Sequence, residues 1–241
     1  MALLSPKCPV SLEERVWIEE SVAWFGTEFG RDVLNRNPVL PTAEYFPGPY
    51  AGSDEDIRSL VAQLCGYLEV APDRLTIEIQ PDDGEDGMVA DLRLARKSTF
   101  AAGHYRRENG RPVIAIDQRQ AARPFALVAT IAHELGHVRL LDERRITTAR
   151  RDHEPLTDLL TVYFGLGIFT ANSAFNFNQS NQGWSYSRLG YLTEQMLGYA
   201  LAYYARLRGE TKPTWAQHLG TNPRAYLKQS LRYLAQQAPA T

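Results

Sequence analysis

Two histidines flank a glutamate in the run His133-Glu134-Leu135-Gly136-His137, which has the spacing H-E-x-x-H. Four residues of an α-helix advance by about 6 Å and turn through about 400°, so both imidazoles lie on one face, one turn apart. Ring nitrogens in that arrangement can bind a single zinc ion, and Glu134 then lies beside the metal. From there it can take a proton from a metal-bound water. The run therefore predicts a zinc site with a catalytic glutamate.

The flanking sequence predicts that this site lies on a buried helix over residues 124–141. Pro124 is tolerated in a first helical turn, and the segment LVATIAHELGHVRLL is apolar around most of its circumference. Burying two histidines and a glutamate is unfavourable unless they are paired or bound to a metal. A bound metal is therefore favoured over the alternative, a solvated helix edge on which these side chains have no role.

A catalytic zinc site needs a third protein ligand and one open position. A second apolar helix is predicted over residues 153–169, with Asp152 placed to cap its start. Glu154 and Asp158 are four residues apart and share one face of that helix. His153 would complete an all-histidine site, although it points about 100° away from Glu154. Glu154, Asp158 and His153 therefore all remain candidates for the third ligand.

An H-E-x-x-H helix followed by a second helix bearing E-x-x-x-D resembles the gluzincin type of zinc metallopeptidase. The strand PVIAID at residues 112–117 also resembles small single-domain gluzincins and ImmA/IrrE-like metallopeptidases, in which an edge strand above the cleft receives an extended peptide. This resemblance covers about residues 112–170. The longer run HEPLTDLLTVYFGLGIFTANSAF is similar to a bacterial family, and that similarity implies no activity.

The gluzincin resemblance implies a zincin-like fold that holds one zinc ion. In that family the glutamate of the second helix is the third ligand, which assigns the metal to His133, His137 and Glu154 and catalysis to Glu134. Asp158, one turn after Glu154, would accept the spare N–H of a ligand histidine and thereby fix its tautomer.

The expected function is zinc-dependent hydrolysis of peptide bonds in a peptide or protein substrate, by Glu134-assisted attack of a metal-bound water. A metal-stabilised binding or regulatory module without catalysis is one alternative, which Glu134 disfavours because a structural site needs no base. Zinc-dependent hydrolysis of a non-peptide amide is another.

The negatively charged oxygen of the tetrahedral intermediate also requires a hydrogen-bond donor in addition to the metal. Five candidates for that donor are His104, Tyr105, Tyr186, Arg188 and Tyr191.

The rest of the chain predicts an α+β fold with a small, mostly antiparallel sheet and a helical C-terminal half. Helices are predicted over residues 11–34, 53–70, 187–208 and 223–237, and strands over 74–80, 88–95, 99–106 and 112–117. Residues 1–70 are expected to form a helical portion packed on a metallopeptidase core of residues 71–241, within one compact domain. The proline-rich residues 38–50 are expected to wrap over helices, with a self-blocking segment across the cleft as the alternative, and residues 172–187 are expected to form a long loop.

Composition excludes several other classes of protein. The 241 residues are 44% hydrophobic and 22% charged, as in globular domains, and the net charge of −2 gives no basic footprint for nucleic acid. No apolar run reaches the roughly 18 residues that a membrane span requires. The N-terminus lacks a basic region ahead of its short apolar stretch, and Cys8 and Cys65 form neither a metal motif nor a disulfide framework. These features predict a cytoplasmic protein without nucleic-acid or membrane partners.

Overall fold

The structure, a computed structural model, describes residues 6–81, 103–180 and 192–237, with the backbone alone for residues 175–180. In chain order, the helices and strands of these ranges are α1 (Leu12–Phe29), α2 (Asp54–Leu68), β1 (Thr76–Gln80), β2 (Gly103–Glu108), β3 (Arg111–Asp117), α3 (Pro124–His137), α4 (His153–Tyr163), α5 (Gly167–Ser180), α6 (Glu194–Leu207) and α7 (Thr221–Leu234). The predicted α+β class is confirmed, whereas the zincin-like fold stays a prediction. Within the described ranges, no helix is both long and apolar enough to cross a membrane.

The chain divides into two compact units, one of Gly48–Thr147 and the other of Met1–Pro47 together with Thr148–Thr241. The predicted boundary after residue 70 is not a boundary of this division. Residues 48–70 group with the strands and α3, whereas α1 groups with the C-terminal helices because it buries Phe25 against Tyr163 of α4, with ring centroids 5.5 Å apart. The arrangement of all these residues as a single domain stays a prediction.

The described part of the sheet has three strands in the order β1-β3-β2. β1 pairs with β3 in parallel, and β2 pairs with β3 in antiparallel orientation. The prediction of a mostly antiparallel sheet is therefore wrong for these residues, because alternation along a strand predicts its buried face but not its direction. The resemblance implies an edge strand for PVIAID, and this is wrong for the described sheet, because PVIAID lies in β3 and pairs with β1 on one side and β2 on the other. The predicted strand 88–95 lies outside the described residues, and the predicted strand 99–106 is described only from Gly103 onward.

Local sequence signals place several boundaries correctly. Ser11 and Ser53 each form a capping box, with Glu14 and Asp56 respectively, at the starts of α1 and α2. Asn109 and Gly110 have positive φ angles of 48° and 80° in the turn that joins β2 to β3, a conformation that an Asn-Gly pair favours.

The helix predicted over residues 153–169 is two helices, because Gly165 adopts a φ of +83° between α4 and α5. The loop predicted over residues 172–187 is also wrong in part, since α5 continues to Ser180, and residues 181–187 lie outside the described residues. Buried Phe169, Ala171 and Ala174 explain the helix, because their packing outweighs the low helix propensity of the polar residues around them.

The proline-rich segment packs on α4 and α5. The backbone N–H of Val39 donates to the carbonyl oxygen of Gly165 at 2.9 Å, and Val39 is buried. Phe46 contacts Phe169 edge-on, with ring centroids 5.5 Å apart. These contacts are those expected of a structural wrap over helices.

Candidate metal centre

Both histidines of the H-E-x-x-H run lie on α3, as predicted. Their ring centroids are 4.7 Å apart and their planes are nearly perpendicular, at 89°. His133 is 7% exposed, and both Glu134 and His137 are 6% exposed. The helix is buried around most of its circumference, because its apolar residues Leu127, Ile131 and Leu135 are also fully buried. The predicted solvated helix edge is therefore excluded.

The helix changes its winding immediately after His137. Residues Val138–Asp142 form one π-helical turn, so the predicted helix of residues 124–141 is α-helical only as far as His137. Such turns occur often at functional sites, because they place side chains that regular α-helical spacing would not. Asp142 at the end of the turn is buried and forms ion pairs with Arg74, at 3.1 Å, and with Arg107 of β2, at 3.4 Å.

β2 lies along α3 with alternate residues facing the helix. A Cβ atom at Gly103 would lie 2.7 Å from Cγ2 of Thr130 and 3.1 Å from Cγ of Glu134, so the strand backbone passes directly beside the catalytic candidate. Two residues later, the ring centroid of Tyr105 is 5.7 Å from that of His137. The strand therefore covers the part of α3 that bears Glu134 and His137.

Glu154 lies in the first turn of α4, and its side chain is 31% exposed. One ligand atom from each of His133, His137 and Glu154 lies within 4.8 Å of the other two. Around one zinc ion, tetrahedral donors at about 2.0–2.2 Å lie roughly 3.3–3.5 Å from one another. Two imidazole nitrogens and one carboxylate oxygen are a common donor set for catalytic zinc. These three residues therefore fit a single metal ion.

The other predicted ligands have different surroundings. His153 is not in this group of ligand atoms, and its Nδ1 lies 3.4 Å from Oε1 of Glu154. Asp158 is buried, and its Oδ2 accepts a hydrogen bond from the backbone N–H of Leu192 at 3.1 Å.

Asp152 occupies the N-cap position of α4 but makes no capping hydrogen bond there, so its predicted role as a cap is wrong.

Two of the five predicted oxyanion donors, His104 and Tyr105, fall in the described residues, and Tyr105 lies beside a site residue, His137. Burial, and then the negative charge of Asp142, raise the pKa of its phenol above the ordinary value of 10.0. His104 is exposed, and alternation along β2 places it on the opposite face of the strand. The remaining three candidates, Tyr186, Arg188 and Tyr191, lie outside the described residues.

Gly103 was not predicted as a site residue, although its lack of a side chain allows β2 to approach Glu134. A glycine inside a strand pattern is itself a signal for close backbone approach, and the run AAGHYRR contains one.

Comparison of the chain with protein-family models, with curated proteins and with solved structures gave no match. The gluzincin resemblance therefore depends on the motif residues themselves and stays a prediction.

Proposed function

We propose that the protein is a zinc-dependent metallopeptidase that hydrolyses peptide bonds in a peptide or protein substrate. The observation that carries this proposal is the buried pair of histidines on α3, one turn apart, grouped with the carboxylate of Glu154. Metal affinity explains the burial of so many polar side chains on one apolar helix.

In this proposal His133, His137 and Glu154 hold one zinc ion. Zinc bound there supplies a Lewis acid that lowers the pKa of a water molecule and polarises a carbonyl group. Two neutral imidazoles and one carboxylate leave the centre with a formal charge of +1, which favours that acidity. Asp158, buried one turn after Glu154, is the proposed positioning residue for a ligand histidine.

Glu134 is the proposed general base. Its carboxylate follows His133 directly and is enclosed beneath β2 at Gly103. It takes a proton from the attacking water and later delivers that proton to the nitrogen of the leaving amine. A purely structural metal site has no use for such a base, so Glu134 favours an enzyme over a non-catalytic binding module.

Tyr105 is the proposed hydrogen-bond donor to the oxyanion that forms on the attacked carbonyl. Its ring lies beside His137, and its phenol is protonated at neutral pH because its pKa lies above the ordinary value of 10.0. A protonated hydroxyl can donate to the negative oxygen, whereas a phenolate could not.

The decisive comparison is between wild type, Glu134→Gln and His137→Ala, each assayed for bound zinc and for cleavage of a broad peptide library. We expect Glu134→Gln to bind zinc but lose turnover, and His137→Ala to lose both. Glu55→Gln and His218→Ala are matched controls, because they change the same residue types in α2 and in the segment before α7. Both controls should retain zinc and activity.

Full peptidase activity in Glu134→Gln would contradict the proposed role of the base. If wild-type protein binds zinc but cleaves no peptide, the peptidase proposal is contradicted. The result would then support either a non-catalytic binding module or a hydrolase of non-peptide amides. Hydrolysis of such amides by the same preparation would then separate these two alternatives.

A further inference from the structure

Asp152 immediately precedes α4 and lies two residues before Glu154. Aspartate is among the preferred residues at this position because its side chain can accept the free N–H groups of the first turn. Here the carboxylate makes no such bond. Its Oδ2 instead accepts a hydrogen bond of 2.7 Å from Nε1 of Trp17, on α1.

Arg150 completes the contacts of this carboxylate. Its Nε donates to Oδ1 of Asp152 at 2.7 Å, and its Nη2 donates to Oδ2 at 3.0 Å, a bidentate pair that fixes the orientation of the carboxylate. The Arg150 guanidinium also lies over the ring of Trp24, 5.7 Å from its centroid. Trp17 and Trp24 are seven residues apart on α1 and therefore share one face of that helix. Two tryptophans of α1 thus anchor the residue at which α4 begins.

We propose that Trp17 and Arg150, acting through Asp152, hold the first turn of α4 in the position from which Glu154 binds zinc. This inference rests on the proposed function, because it assigns Glu154 as a metal ligand. Trp17, Arg150 and Asp152 are positioning residues that do not touch the metal. In the structure the Asp152 carboxylate does not cap the helix and accepts hydrogen bonds from Trp17 and Arg150.

The geometry explains why this position matters. Glu154 lies in the first turn of α4, where the backbone is held by fewer hydrogen bonds than in the helix interior. Small changes in the direction of the chain at Asp152 therefore move the Glu154 carboxylate directly. An anchored start of the helix reduces the conformational freedom that metal binding would otherwise have to remove.

The test compares zinc affinity with stability in Trp17→Phe and Asp152→Asn. Trp17→Phe keeps an aromatic ring but removes the N–H donor, and Asp152→Asn keeps the shape but removes the charge that pairs with Arg150. We expect each variant to bind zinc about tenfold more weakly, as changes to residues behind a ligand typically do. The free zinc concentration is set by competition with a chromophoric chelator, and the unfolding midpoint of the metal-free protein is measured in parallel.

Trp215→Phe is the matched control. Nε1 of Trp215 donates to Oε2 of Glu210 at 2.6 Å, so this variant also loses a tryptophan–carboxylate hydrogen bond. It should retain wild-type zinc affinity. Replacing zinc by cobalt(II) adds a spectroscopic signature, since the visible absorption of cobalt changes with ligand geometry. Trp17→Phe and Asp152→Asn should change that spectrum, and Trp215→Phe should not.

Unchanged zinc affinity and cobalt spectra in both variants, with wild type binding normally, would overturn the inference and leave the proposed function intact. Equal weakening in Trp215→Phe would also overturn it, because the effect would then be one of general stability. Failure of wild type to bind zinc would overturn the proposed function and this inference together.

Discussion

Gly103 of β2 lies against Glu134 of α3 so closely that a methyl group on Gly103 would be 3.1 Å from Cγ and 3.3 Å from Oε1 of the glutamate. The same methyl would be 2.7 Å from Cγ2 of Thr130. Glycine is therefore required here for steric reasons, and the strand backbone limits the positions that the Glu134 carboxylate can take.

Gly103→Ala should displace Glu134 and lower kcat by about two orders of magnitude, because a shift of about 1 Å in a catalytic group has effects of that size. Zinc content should be unchanged, since the ligands lie elsewhere on α3 and α4. Overpacking of this kind also destabilises proteins by about 1–3 kcal/mol. Gly66→Ala is the control, because nothing lies within 4 Å of a Cβ atom at that position. Full activity in Gly103→Ala would contradict this account of the strand.

Tyr105→Phe should lower kcat by about 10²–10³ with little change in KM, because the hydroxyl is proposed to bind the oxyanion more strongly than the ground-state carbonyl. Steady-state kinetics on any cleaved peptide measure both constants. His104→Ala on the opposite face of the strand should be close to wild type. If His104→Ala abolished activity and Tyr105→Phe did not, His104 and not Tyr105 would be the donor to the oxyanion.

Substitutions at the start of α4 distinguish the three candidates for the third ligand. Glu154→Ala should abolish stoichiometric zinc binding, and His153→Ala should retain it. Asp158→Asn should weaken zinc binding by about 10–100-fold, as expected of a carboxylate that acts behind a ligand. Metal content after dialysis against buffered zinc measures all three. Loss of zinc in His153→Ala with retention in Glu154→Ala would reverse the assignment.

Removing the metal should lower the stability of the folded protein. A ligand at one hundred times its dissociation constant stabilises the native state by about 2.7 kcal/mol. We expect a chelator to lower the unfolding midpoint of wild type and added zinc to restore it. His137→Ala should have the same midpoint with chelator and with zinc, so a zinc-dependent increase in that variant would indicate a different site.

The capping box of α2 predicts a pH dependence of stability. Hydrogen bonds from the backbone N–H of Ser53, from its hydroxyl and from the N–H of Ala51 hold the pKa of Asp56 below its ordinary value of 3.8. The stabilisation is therefore fully present above the unfolded pKa and is lost as the pH falls through the lower folded value. Chemical denaturation of wild type and Asp56→Asn between about pH 6 and pH 2 should show the two stabilities converging on acidification. A constant difference would show that the carboxylate charge has no part in the cap.

Local features of this fold could be predicted from the sequence, and features set by packing could not. The helix starts at Ser11 and Ser53 were predicted correctly, because each depends on residues of its own first turn. The H-E-x-x-H face followed in the same way from helical geometry. The parallel pairing of β1 with β3 was not predictable, because both pairing directions satisfy the same alternation of apolar and polar residues.

In the candidate site, too, local features could be predicted from the sequence and long-range contacts could not. His133, Glu134 and His137 were identified from spacing alone, whereas Glu154 could be separated from Asp158 and His153 only by the family resemblance and then by the grouping of ligand atoms. The engagement of Asp152 with Trp17 joins residues 135 positions apart in sequence, so no local pattern could predict it. The preference of aspartate for N-cap positions led instead to the incorrect prediction that Asp152 caps α4.

The central claim is that one zinc ion is bound by His133, His137 and Glu154. A crystal structure of the zinc-loaded protein, with anomalous diffraction recorded at the zinc absorption edge, locates the metal independently of any assay. We predict a single strong peak in contact with these three side chains, with Glu134 close by but not bound to it. A peak at other residues, or none near His133 and His137, would contradict the account.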